Sequence, residues 1–259
     1  MTEVQPLQVL LIRGVVLVLL GACRVDFDEI SHGAYYNAVM DDHPVAYWRL
    51  GDHDSVARDE IGAYDGVHQG TYTEGARGAL VGDPNPAVTL DGISGVVKGP
   101  DDALAFTGTA PFTLEVWIEP VAAKYQHFVT KELRAGLPDP GGGSHPLVGY
   151  ALLQSPGVLF ERVIDEMTSN HTGQHPIASG QWSHIVGTYD GATMCLYING
   201  AMIETVPSPG AIASYKSPVL IGAHPYGANL GGSIDEVAIY DSALPSTRIA
   251  THYMIGSGP

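Results

Sequence analysis

The chain has 259 residues, 45% hydrophobic content and a formal net charge of -16 at pH 7. That length suits one large all-β domain or two small ones, with apolar residues enough for a core. Such an excess of carboxylates repels nucleic-acid phosphates and excludes nucleic acid as a partner, while remaining compatible with divalent cations or plain solubility. The 32 glycines and 18 prolines fit many turns between short strands better than long helices.

The first feature in chain order is an apolar run from Gly14 to Ala22, preceded by Arg13 and ending at Cys23. It is far shorter than the roughly 20 residues a helix needs to span a bilayer, and it has the length of a signal-peptide h-region. Leu20-Gly21-Ala22-Cys23 resembles a bacterial lipobox, in which the cysteine is acylated and becomes the first mature residue. Residues 1–22 are therefore read as a lipoprotein signal peptide and Cys23 as the lipidation site of an exported, envelope-anchored protein. A soluble secreted protein cut after Ala22 and a disulfide between Cys23 and Cys195, the two cysteines, are the alternatives. Residues 23–42 read as a polar tether, with a helical turn at Tyr35–Met40.

The domain is expected over 43–256. In His43–Leu50, alternation sets Ala46, Trp48 and Leu50 against Val45, Tyr47 and Arg49, which predicts the first strand. Further strands are expected at Gly66–Tyr72, Ala87–Leu90, Gly95–Lys98 and Phe112–Ile118. Lys131–Pro146 and Thr168–Pro176 read as surface loops, from their glycine, proline and polar content. Ser183–Tyr189, Met194–Ile198 and the residues after Gly200 form three strands reversed at Asp190-Gly191 and Asn199-Gly200, both strong hairpin signals. Pro218–Gly222 and Ser233–Tyr240 follow, and Pro245–Tyr253 reads as a short closing helix with proline in its first turn. The fold class is all-β: a two-sheet antiparallel jelly-roll sandwich with a short C-terminal helix.

Pro44–Gly51, Phe112–Ile118, Gly180–Gly200 and Gly232–Tyr240 together resemble the bacterial LamG-like jelly-roll domain of the concanavalin A-like lectin/glucanase superfamily. Ala243-Leu244, Arg248-Ile249-Ala250 and His252-Tyr253 match its closing helix, and the resemblance spans about Tyr36 to Gly256. It implies two curved antiparallel sheets packed face to face. It does not imply one function, because members bind sugars or proteins and some relatives are enzymes.

Glucanases of this superfamily carry a Glu-x-Asp-x-x-Glu strand on the concave face. The nearest match, Glu115-Val116-Trp117-Ile118-Glu119, has Trp117 in place of the Asp. A four-residue strand step separates its carboxylates by about 13 Å, against roughly 5 to 9.5 Å in glycosidases. The chain is accordingly read as non-catalytic, with a carbohydrate-active enzyme on the same fold as the alternative. The resemblance also implies a structural Ca²⁺ shared by the acidic loop Arg58–Gly66 and the last strand, with Asp59 and Asp235 as ligands. By alternation Asp235 falls on the face of Val237 and Ile239, where an uncompensated carboxylate is costly; the alternative is that neighbouring loop amides satisfy it.

His171 and His175 have the i, i+4 spacing of a helical zinc pair, but Gly173 and Pro176 make this a loop of exposed polar residues. Trp48, Trp117, Trp182 and His184 fall in fold motifs and read as scaffold. Tyr215 and Tyr226 are loop aromatics. The expected function is carbohydrate or protein binding by an envelope-anchored lipoprotein: its partners are a glycan or an extracellular protein, and the membrane through the lipid.

Overall fold

The computed structural model describes residues 33–101, 103–133, 148–165 and 167–258, and two helices and 16 strands lie among them. Helix α1 (Gly33–Asp41) is followed by β1 (Ala46–Trp48), β2 (Val56–Ala57), β3 (Gly66–Gln69), β4 (Tyr72–Ala76), β5 (Ala87–Asp91) and β6 (Val96–Lys98). The middle of the chain forms β7 (Phe112–Pro120), β8 (Gln126–Leu133), β9 (Val148–Gln154), β10 (Val158–Asp165) and β11 (Thr168–His171). Next come β12 (Ser183–Tyr189), β13 (Thr193–Ile198), β14 (Ala201–Pro207), β15 (Leu220–Ile221), β16 (Gly231–Tyr240) and helix α2 (Ser246–Ser257).

Sheet A has the order β14-β13-β12-β7-β16-β5-β4, with β1 also on β16; sheet B runs β11-β10-β9-β8-β15-β6-β3-β2. The two-sheet antiparallel sandwich expected from the strand pattern is the observed architecture. Alternation along the strands explains how it closes. Phe112, Leu114, Val116 and Ile118 of β7 point into the inter-sheet core with Ile185, Tyr189, Met194 and Leu196 of sheet A. They meet Phe128, Tyr150, Leu152 and Phe160 of sheet B there. Each such side chain contributes about 1.5–3 kcal/mol relative to exposure.

The intervening residues of sheet A are buried too. Tyr47, Trp117, Val186, Tyr197, Ala238 and Tyr240 form a second core with Tyr35 and Val39 of α1 and Ile249 of α2. Both helices therefore cover the outer face of sheet A. This corrects the boundary of the tether: its last ten residues include α1, and the compact unit runs from Ala34. The Asn199-Gly200 reversal has φ of 52° and 75°, the doubly positive pattern of a type I′ hairpin turn.

Three other expectations are revised. Lys131, Glu132 and Leu133 continue β8 rather than opening a loop; Lys131 is buried, its Nζ donating to the carbonyls of Ser217 and Asp101. Residues 134–146 of that expected loop lie outside the described residues, as do Cys23 and the signal segment. Thr168–His171 is an edge strand, paired with β10 although mostly exposed. In β16, a bulge between Asp235 and Ala238, with Glu236 at φ 51°, reverses the alternation. Asp235 is paired with Trp117 and sits on the helix-covered side, not on the face of Val237 and Ile239.

Candidate functional site

The covered face of sheet A holds two carboxylates that are fully used. Glu115 accepts from His184 Nε2 (2.7 Å), Tyr35 Oη (3.0 Å) and Tyr240 Oη (2.9 Å), and His252 Nδ1 lies at 3.0 Å. Burial opposes its charge, yet His252 and His184 outweigh burial and hold its pKa well below the usual carboxylate range. Glu236 accepts from Arg49 Nε (3.0 Å) and Nη2 (2.9 Å) and from the Tyr47 hydroxyl. Arg49 also pairs with Asp83 at 2.9 Å. Burial pushes Glu236 up to about 7 against the pull of Arg49. Glu115 and His184 are thus structural, as their place in the fold motifs predicts.

Asp59 and Asp235 do not fit a shared calcium. Asp59 Oδ1 accepts the amides of Tyr47 (2.8 Å) and Ile61 (3.2 Å), and Oδ2 those of Ala63 (3.0 Å) and Tyr64 (2.9 Å). Four donors occupy both oxygens, leaving no lone pair for a cation that needs six to eight oxygen ligands. Asp235 Oδ2 accepts the Ala79 amide at 2.8 Å, while buried Oδ1 has no partner. Burial and neighbouring Glu236 raise its pKa well above the usual carboxylate range. Among the described residues, no three His, Cys, Asp or Glu are grouped to hold a metal ion. Cys195 is a free thiol on β13, its Sγ 3.4 Å from Thr205 Oγ1. The His171–His175 segment is a loop on a strand edge, and His175 Nε2 bonds Glu204 at 2.7 Å.

The outer face of sheet B is different. Its ladder places His127 opposite Leu153, Thr130 opposite Ala151, Glu132 opposite Gly149 and Glu161 opposite Ala151, all on one side. The described apolar residues clustered there are Ala151, Leu153 and Leu159, and neither helix contributes to that cluster. A bulge between His127 and Val129 keeps His127 and Thr130 on this side while Phe128 and Val129 enter the core. The result is a row of four rings: Tyr125 to His127 (5.3 Å), His127 to His224 (4.5 Å) and His224 to Tyr226 (5.5 Å). The tyrosines at its ends are 55% and 39% exposed.

Hydrogen bonds fix the histidines. His127 is 2.7 Å from Thr130 Oγ1 through Nδ1 and 3.1 Å from Tyr125 Oη through Nε2. Burial, then neighbouring His224, pushes it down to about 3, so it is neutral. His224 Nδ1 accepts the Tyr226 amide at 3.3 Å, which leaves the Nε2 hydrogen to donate to Glu132 Oε2 at 3.1 Å. Glu132 is 6% exposed, and its Oε1 has no hydrogen-bond partner. Its Cγ lies over Gly149, where an added Cβ would sit 2.9 Å away. Gly149, at φ 144°, thus lets the Glu132 chain lean toward β10, where Glu161 stands. Burial and then Glu132 raise the Glu161 pKa, against a Ser169 hydrogen bond. The cluster offers aromatic edges, two imidazoles and two acidic groups with one unused acceptor.

Of the aromatic loop residues read from the sequence, Tyr226 belongs to this row. Tyr215 is buried, donating to the Lys131 carbonyl at 3.0 Å. Sequence reading missed Glu132, Glu161 and His127. The available signal was the alternation Phe160-Glu161-Arg162-Val163, which sets Glu161 opposite the core residue Phe160.

Comparisons agree with this architecture. The chain is similar to domain 4 of AbnA, a GH43 extracellular arabinanase from Geobacillus stearothermophilus solved with arabinotriose. TM-score is 0.62 and identity 18%, covering 82% of this chain and 98% of that one. It is also similar to the binding domain of botulinum neurotoxin DC in complex with SialylT, at TM-score 0.59 and 12% identity, over 83% of this chain. Another neighbour, the W1252A mutant of HCR D/C VPI 5995, gives 0.61 and 14% over 83% of this chain. This chain spans about half the length of those two. At such identities these likenesses show the fold alone. A search of curated proteins found no match. A family model described as "Concanavalin A-like lectin/glucanases superfamily" matches residues 91–250, more than half of the chain, and the chain belongs to that superfamily.

Proposed function

We propose that this chain is a non-catalytic carbohydrate-binding domain whose ligand seats on the outer face of sheet B. The observation that carries the reading is the ring row from Tyr125 to Tyr226 beside the unpartnered Oε1 of Glu132. Exposed tyrosines stack on the apolar faces of sugar rings, and fixed acceptors orient hydroxyls. Neighbours of the same fold solved with arabinotriose and with SialylT support a sugar ligand. A glycan array with purified 33–259 tests it: binding that weakens in Tyr226→Ala supports the reading. No glycan signal, with a protein recovered by pull-down, would replace it with protein adhesion.

A glycoside hydrolase is the second reading, favoured by the Glu132–Glu161 pair. A group raised by burial beside another carboxylate is the pattern of an acid and base pair. Against it, Glu132 is buried beneath the His224 contact, a placement suited to receiving a donor rather than attacking a sugar. Release of reducing ends from a polysaccharide, lost in Glu132→Gln, would establish hydrolysis.

Export and anchoring through Cys23 form the remaining part of the proposal, supported by Leu20-Gly21-Ala22-Cys23 after the apolar run. Metabolic labelling with a palmitate analogue should tag the wild type and not Cys23→Ser; an unlabelled wild type would end this reading.

A further inference from the structure

We infer that the Glu132–Glu161 end of the sheet B face selects glycans carrying a free, protonated amino group over neutral ones. The inference rests on the carbohydrate-binding reading and names its substrate class. Glu132 is nine-tenths buried, with Oε2 held by His224 and Oε1 without a donor. A buried acceptor left unpaired is costly, and a ligand donor that reaches it recovers that cost. A hydroxyl brings one hydrogen and no charge, whereas an ammonium brings three hydrogens and a charge to two neighbouring acidic groups.

Among the described residues, the basic groups beside the two carboxyls are histidines: His224 on Glu132 and His171 opposite Glu161, with no lysine or arginine contact. His127 is held by Thr130 and Tyr125, and His224 by Glu132 Oε2 and the Tyr226 amide. Lys131 and Arg162, on the same strands, point inward, donating to Ser217 and to Ser208. Among the described residues that the ladder sets on this face, Lys98 is the one cation; it lies two strands from β8, 3.6 Å from Asp101. The net charge of -16 adds a long-range pull on a cationic ligand. The turn Pro225–Gly227, which carries Tyr226, is exposed beside His224.

The test is calorimetric titration of the 33–259 protein, at a pH where the amine is charged. The probes are glucosamine oligomers, their N-acetylated counterparts and neutral glucose oligomers of equal length. The expected result is binding of the amine form about tenfold tighter or more than the N-acetylated form. That ratio should collapse toward one in Glu132→Gln, with a melting curve confirming that the variant folds. Glu161→Gln reads the same ratio should Glu132→Gln fail to fold, and added salt should shrink the ratio in the wild type. Equal binding of amine and N-acetylated forms overturns the inference while leaving the carbohydrate reading in place. So does a preference that survives in both variants, since it then comes from overall acidity. Failure of every oligomer to bind overturns both.

Discussion

Tyr35 of α1 donates its hydroxyl hydrogen to Glu115 Oε1 at 3.0 Å while its oxygen accepts the Trp117 indole N–H, also at 3.0 Å. One hydroxyl thus joins helix and sheet through two buried groups. Tyr35→Phe leaves an indole N–H without acceptor and a carboxylate one donor short, and should cost about 1–3 kcal/mol. Urea unfolding followed by tryptophan fluorescence measures it. Removing residues 33–42 also strips Val39 from the second core and the Asp42–Arg248 pair at 2.8 Å. That truncation should melt far below the 33–259 protein. An unchanged melt would restore α1 to the tether.

The same face sets the pH dependence. Glu115, depressed, contributes stability above its unfolded value of about 4.3, lost as pH falls. Burial lowers His252, but the Glu115 charge and hydrogen bond outweigh it, with a net rise. Its contribution is full below about 6.5 and disappears as pH rises through the folded value. Asp235, raised, behaves likewise: its proton stabilises the fold in acid and is lost on the way up. Melting temperature should therefore peak between about pH 4.5 and 6 and decline toward pH 8. Asp235→Asn keeps an acceptor for the Ala79 amide without titrating, so it should flatten the decline. A profile rising through neutrality contradicts this account.

Asp59 gives a separate test. Asp59→Ala deprives four amides of their acceptor and should cost about 2–4 kcal/mol, while Asp59→Asn keeps one oxygen and should cost less. Wild-type melting temperature should be the same in excess EDTA and in calcium. A chelator-dependent shift would mean that calcium displaces those amides.

The sandwich was legible because its signals are local. Phe112–Ile118 alternates cleanly, and Asn199-Gly200 sits where doubly positive φ is required. The same alternation misplaced Asp235, since a bulge leaves no mark in residue type and reverses every face beyond it. The tether failed for another reason: Tyr35 and Val39 look isolated in a polar stretch, and only the packed sheet shows what they cover. The sheet B site was hidden because Glu132, Glu161 and His224 come from three distant segments, joined by pairing that no short window contains.

The row of rings makes the last prediction. Tyr125 and Tyr226 are its exposed ends, so truncating either leaves the inter-sheet core intact. An aromatic face stacked on a sugar is worth about 0.5–1.5 kcal/mol beyond its area. Tyr226→Ala and Tyr125→Ala should each weaken glycan affinity about tenfold with little change in melting temperature. Their contacts with His224 and His127, one edge-on and two tilted, link the two ends, so a ligand lying along the row would make the two effects depend on one another. A double variant whose loss differs from the sum of the single losses identifies one shared ligand along the row. Strict additivity would instead mean two independent contacts, and undiminished affinity in both single variants would move the ligand off this face.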